Sequence, residues 1–137
     1  MSQIKVGDLI APLLKSAITR VQISQFAAAT GDFNPMHVDD TIARSNGYSG
    51  ICAHPQLALA YVEQALLHHL PDFQISKMTA TFQKLIWPGD MLTAKGVVSK
   101  EYEQDGQNNY EIDIWVENQN HDVILKGTVT GTLSSHA

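Results

Sequence analysis

The chain has 137 residues and a single cysteine, Cys52, so no disulfide can form within it. That fits a reducing compartment, and a cytoplasmic location is expected. Positive charge is sparse: nine Lys and Arg stand against fourteen Asp and Glu, for a formal net charge of −5, with no run of like charge. This composition lacks the basic footprint of a nucleic-acid binder and any polybasic membrane patch. Long hydrophobic runs are missing as well. The longest apolar region, Leu57 to Leu70, is interrupted by Glu63, Gln64, His68 and His69, well short of the ~20 residues of a membrane-spanning helix. The opening "MSQIKVGDLI" has no charged segment followed by an apolar stretch, so no signal peptide is expected. Internal repeats, linkers and low-complexity segments are absent too. What remains is 44% apolar and 17% charged, the balance of a globular protein with a real core. One domain over residues 1–137 is expected.

The chain is organised by a change of period. "VGDL" reads as a turn, and "SAITRVQI" as a short strand around Ala17–Val21. Ser24 is a candidate N-cap for a short helix over "QFAAAT", with Gly31 at its end. "GDFNPMH" follows as a loop. "DDTIARSNG" opens with acids, as a first helical turn prefers, and Asn46-Gly47 stops it. Pro55 suits the first position of a longer helix running to His69, about 22 Å at 1.5 Å per residue. Its apolar positions Leu57, Ala58, Tyr61, Val62, Ala65, Leu66 and Leu70 cover more than one face, which predicts a buried helix. After Pro71 the period becomes two. Met78, Ala80 and Phe82 share one face, and Tyr110, Ile112, Ile114 and Val116 share another. Four strands, joined at "WPGD", "DGQ" and "NHD", read as an antiparallel meander. The fold class is therefore α+β, with a sheet curled around one buried helix and with open edges on which a second copy could pair.

Between these elements lies "ATGDFNPMH", Ala29–His37. Gly, Asp, Asn and Pro are turn formers in their own right, and Asn34 before Pro35 is pushed away from helical geometry. The same residues carry chemistry. Asp32 and His37, five apart, do not share a helical face, but across a tight turn both can reach one water molecule. Imidazole exchanges protons near neutrality, and a carboxyl against an apolar wall can be tuned to act as an acid. A metal site built from Asp32, His37, Asp39 and Asp40 is the competing chemistry. It is disfavoured because the His stands alone and the paired acids suit a helix start. Cys52 reads as a small buried residue, and His68 and His69 as residues favoured at a helix end.

The stretch "FAAATGDFNPMHVDDTIARSNGYSGICAHPQL", Phe26–Leu57, resembles the hydratase-2 signature of the MaoC-like dehydratases, the (R)-specific enoyl-CoA hydratases. The matching positions are Phe26, Thr30, Gly31, Asp32, Asn34, Pro35, Met36 and His37. "WPGD" and the closing strands look like that family too. The resemblance implies a hot-dog fold and a homodimer, with a heterodimer as the variant. It implies that Asp32 and His37 activate the water that adds to C3 of a trans-2-enoyl thioester and supply the proton at C2, with no metal or redox cofactor. In reverse, the reaction dehydrates an (R)-3-hydroxyacyl thioester carried on coenzyme A or acyl-carrier protein. Gly31 and Asn34 would hold the loop, and His54 would support the site as a cap or packing residue. Candidates for the acyl wall are Leu57, Tyr61, Met78, Phe82 and Trp87.

One position departs from the pattern. Many family members carry His-Gly where this chain has His54-Pro55, and that glycine N–H binds the thioester oxygen. Proline has no N–H, and losing such a donor unreplaced costs about 2.7–4 kcal/mol. The backbone N–H groups of Gln56 and Leu57, in the first helical turn, are the expected substitutes. Two other functions compete: a hot-dog acyl-thioester hydrolase, since fold does not fix chemistry, and a non-catalytic thioester-binding subunit of a heterodimer, which Pro55 favours.

Overall fold

The computed structural model describes residues 4–133, so both ends of the expected 1–137 domain lie outside the described residues. A short strand β1 (Leu9–Leu14) leads into the helices α1 (Arg20–Thr30), α2 (Pro35–Val38), α3 (Asp40–Ser45) and α4 (Pro55–His69). The strands β2 (Phe73–Phe82), β3 (Thr93–Gln104), β4 (Gln107–Glu117) and β5 (Val123–Leu133) follow. All five strands form one antiparallel sheet in the order β1-β3-β4-β5-β2.

The sheet wraps α4 as expected. Each of the seven apolar residues assigned to its buried surface is buried, together with Tyr110, Ile112, Ile114 and Val116 of β4. These side chains form one core with Ile10, Phe73, Val98 and Val129. Pro55 opens the helix at its first turn, where a missing N–H costs nothing.

Three expectations are corrected. The strand expected at Ala17–Val21 is instead the approach to α1 and its first residues. Thr19, not Ser24, is the N-cap: its Oγ1 accepts the Gln22 N–H at 3.0 Å, and Ser24 lies inside the helix. The true first strand, β1, contains Pro12, which reads as a strand breaker. Pro12 is tolerated because β1 is an edge strand with an irregular register between Ile10 and Leu13. There the Ala11 N–H donates to the His69 Nδ1 at 3.2 Å. The four-strand meander is also only partly right, because β2 pairs with β5 rather than β3. A tight hairpin uses two to five residues, whereas residues 83–92 separate β2 from β3. That connection crosses to the other side of the sheet, held by a bridge between Ala53 and Ile86 and by hydrogen bonds linking Ile18 to Gly89 and Asp90.

The curl of the sheet requires β5 and β2 to approach closely. A Cβ on Gly127 would lie 1.9 Å from the Thr79 carbonyl oxygen, a backbone atom with little room to move. Gly127→Ala is therefore expected to destabilise the fold by about 1–3 kcal/mol, as overpacking does. Urea unfolding of the two proteins measures this, and equal midpoints would show that the strands relax apart freely.

Candidate active site

The segment around Asp32 is built from local turns. Gly31 ends α1 in the left-handed conformation, with φ 76°, and returns its N–H to the Ala27 carbonyl at 2.8 Å. Residues with a Cβ avoid that conformation. Asp32 Oδ1 then accepts the Asn34 N–H at 3.2 Å, and Asn34 Oδ1 accepts the Met36 N–H at 3.2 Å. Pro35 starts the one-turn helix α2, which carries His37. The expected loop is thus a chain of side-chain-capped turns ending in a short helix.

His37 is buried, and its Nδ1 lies 2.8 Å from the Cys52 carbonyl oxygen. A carbonyl only accepts, so Nδ1 carries the proton and donates it. In the neutral ring Nε2 then holds the lone pair. That atom faces Asp32 Oδ2 at 3.9 Å, and the Asp32 side chain is 45% exposed. The separation is too long for a direct hydrogen bond and leaves both groups able to bind a third, small molecule.

His54 joins them from the start of α4. Its Nε2–H donates to the Asp32 main-chain carbonyl at 2.9 Å. Its ring stacks on His37, with centroids 3.8 Å apart and planes 23° apart, while Phe26 covers it at 5.0 Å. Although His54 is the N-cap residue, its side chain makes no capping bond, and its buried Nδ1 has no hydrogen-bond partner among the described residues. No motif arithmetic on Asp32 and His37 shows this contact. The bonding partner is a backbone carbonyl, and sequence reasoning marked His54 only as a cap or packing residue supporting the site.

The Gln56 N–H makes no hydrogen bond among the described residues, but the Leu57 N–H donates to the His54 carbonyl at 3.0 Å. Leu57 is therefore not the free donor expected of it, because the first turn of α4 closes early and uses that proton. Of the acyl-wall candidates, Leu57 and Tyr61 are in the core and Met78 packs against it. Phe82 is 42% exposed, and Trp87 lines a surface recess beside Arg20 and Arg44. Tyr61 turns toward α1, where its hydroxyl accepts from Gln22 Nε2 at 2.6 Å. A cavity of about 750 Å³ lies on the strands and includes none of Asp32, His37 or His54.

The competing metal set of Asp32, His37, Asp39 and Asp40 does not assemble. Asp39 Oδ1 caps α3, accepting from Thr41 and Ile42, and Asp40 pairs with Arg20 and accepts the Ile51 N–H at 3.0 Å. Asp32, His37 and His54 do bring potential ligand atoms within 4.8 Å of one another. Imidazole lone pairs lie in the ring plane, and these planes are stacked. At the ~2 Å of a metal–nitrogen bond the two rings do not converge on one ion. The trio suits a water molecule better. Cys52 is buried, as expected, and burial pushes its thiol above its ordinary pKa, away from a nucleophile's range.

Comparison with known proteins bears on family and fold. The profile of the family described as MaoC like domain matches residues 7–120. The chain belongs to this family. A relative in Saccharomyces cerevisiae, the peroxisomal hydratase-dehydrogenase-epimerase, is 30% identical over 66 residues, covering 48% of this chain and only 7% of that protein. The mitochondrial 3-hydroxyacyl-[acyl-carrier-protein] dehydratase of Arabidopsis thaliana is 23% identical over 133 residues, covering 95% of this chain and 78% of that one. Among solved structures, the R-hydratase PhaJ1 from Pseudomonas aeruginosa superimposes with a TM-score of 0.87 at 24% identity, covering 97% of this chain and 84% of that chain. The fold is thus the hot dog of the MaoC-like proteins. No helix among the described residues is long and apolar enough to cross a membrane.

The Arg20–Asp40 pair fixes α3 beside the site, and its guanidinium, with the Ile51 N–H, holds the Asp40 carboxyl below its ordinary pKa. A carboxylate whose folded-state pKa is depressed stabilises the fold above its unfolded pKa and loses that contribution as pH falls through the folded value. The stability gap between wild type and Arg20→Gln is therefore expected to be largest near pH 6 and to shrink below about pH 4. Urea midpoints across that range measure it, and a gap independent of pH would show that Arg20 acts through packing alone.

Proposed function

We propose that this chain is an (R)-specific hydratase of trans-2-enoyl thioesters that also dehydrates (R)-3-hydroxyacyl thioesters. One observation carries the reading: the lone pair on His37 Nε2 faces Asp32 Oδ2 across 3.9 Å, with Nδ1 anchored on the Cys52 carbonyl. A water between them loses a proton to the pair as its oxygen bonds to C3. The C2–C3 π electrons move toward the thioester oxygen, and the resulting enolate takes a proton from the pair at C2. Water is added across the double bond and the pair is regenerated, with no redox step. The Gln56 N–H, in the first turn of α4, stands where Pro55 removes the family's usual donor, and it is the group we assign to the thioester oxygen. Leu57, Tyr61, Met78, Phe82 and Trp87 remain our acyl-wall assignment, and the dimer our assignment for the assembly.

Hydration of crotonyl-CoA, followed by loss of the enoyl-thioester absorbance, tests this. Asp32→Asn and His37→Ala are each expected to lower kcat about 10²–10⁴-fold. Asp32→Asn should keep an unfolding midpoint close to wild type, whereas His37→Ala should stay folded with a lower midpoint, because it removes a buried ring and its bond to the Cys52 carbonyl. Near-full activity in both would remove the roles assigned here.

His54 acts through its neighbours, fixing the Asp32 carbonyl and the His37 ring. Losing it is expected to cost about a hundredfold in kcat, the scale of a 1 Å misplacement, with KM little changed. His54→Gln, which keeps an N–H near the Nε2 position, should recover part of what His54→Ala loses. Equal losses in the two variants would show that only the stack matters.

Pro55 favours a second reading, a thioester-binding subunit that works only with a partner. A protein that binds crotonyl-CoA but hydrates it only after a second subunit is added would establish it.

A further inference from the structure

A surface recess of about 270 Å³ has Arg20, Asp40, Arg44, Gly50, Ile51 and Trp87 among its lining residues. Three of these stand next to parts of the catalytic apparatus. Asp40 is three residues beyond His37, and Ile51 precedes Cys52, whose carbonyl holds the His37 ring. Trp87 follows Ile86, which bridges to Ala53 just before His54.

The charge in this recess does not cancel. Both terminal nitrogens of Arg20 are spent on the Asp40 carboxylate. Arg44 uses only its Nε, which donates to the Ser49 carbonyl at 3.3 Å, and its two terminal nitrogens make no hydrogen bond among the described residues. The bond to Ser49 orients the guanidinium and leaves its forked edge available. The recess therefore holds two guanidiniums against one carboxylate, and the oriented guanidinium of Arg44 shares it with an indole, in a chain whose net charge is −5. Such a fork matches the oxygens of a phosphate, which it can hold with two parallel bonds.

We propose that this recess binds the phosphate of the thioester's carrier arm, the group common to coenzyme A and to the phosphopantetheine of an acyl-carrier protein. The identity of the ligand rests on the hydratase reading above. The cation itself does not. An anionic substrate approaching an acidic protein is drawn to local positive charge, and Arg44 supplies it.

Calorimetric titration with free coenzyme A, 4′-phosphopantetheine and pantetheine tests this without any turnover. Arg44→Gln is expected to weaken coenzyme A and 4′-phosphopantetheine by about ten- to a hundredfold, the loss of charge-assisted bonds. Arg44→Lys should recover part of that affinity. Pantetheine, which has no phosphate, should bind wild type and Arg44→Gln alike. Equal affinity of wild type and Arg44→Gln for coenzyme A overturns the proposal, as does a wild type that binds no coenzyme A. A penalty seen with coenzyme A alone would move the contact to a nucleotide phosphate and overturn the shared-arm assignment. If Arg44 governs binding but no enoyl thioester is hydrated, the recess stands and only the hydratase reading fails.

Discussion

The hydrogen bond from His37 Nδ1 to the Cys52 carbonyl is the contact on which the site's geometry depends. It ties the segment after α1 to the segment before α4. It also decides which imidazole nitrogen carries a lone pair. A backbone carbonyl serves this purpose well because it neither titrates nor rotates away. The Cys52 N–H reinforces the tie by donating to the Met36 carbonyl at 3.0 Å. His54 adds the second tie, since its ring presses on His37 while its Nε2–H holds the Asp32 main chain. The carboxylate, the imidazole and the start of the long helix therefore share one small hydrogen-bonded frame.

That frame holds an exposed aspartate beside a buried histidine. Asp32 keeps contact with solvent, while its Oδ1 is held by the Asn34 N–H and its carbonyl by His54. Its position is fixed without burying its charge, which would carry a large desolvation cost. His37 is enclosed, and its one fixed proton leaves a single nitrogen for chemistry. The two groups differ in solvent access, and separated environments of this kind let a pair of titratable groups take different roles.

Much of this was legible in the sequence, and what was not has physical causes. The buried helix could be read because seven apolar residues cover more than one of its faces, a pattern that only burial rewards. The Tyr110–Val116 face could be read because alternation has an unmistakable period. β1 was missed because Pro12 argues against a strand when edge position and register are unknown. The start of α1 was misplaced because Thr19 and Ser24 are both good caps, and only the tertiary fold chooses between them. The pairing of β2 with β5 is a property of the whole chain, invisible to any local pattern. In the site, Asp32 and His37 stood out by residue type. The carbonyl of Cys52 and the early closure on Leu57 did not, because backbone groups leave no mark on a sequence.

The irregular edge of β1 has a consequence for association. Along that edge Pro12 has no N–H, and the Ala11 N–H is taken by His69. A further strand laid there would meet a donor already taken or absent within an irregular stretch. The opposite edge, β2, is ten residues long and contains no proline. The β2 edge is thus the more receptive side of the sheet. Two copies that paired through β2 would each use up that edge and leave only the short, irregular edge of β1 outside, which favours an assembly that closes at two over one that grows into a filament.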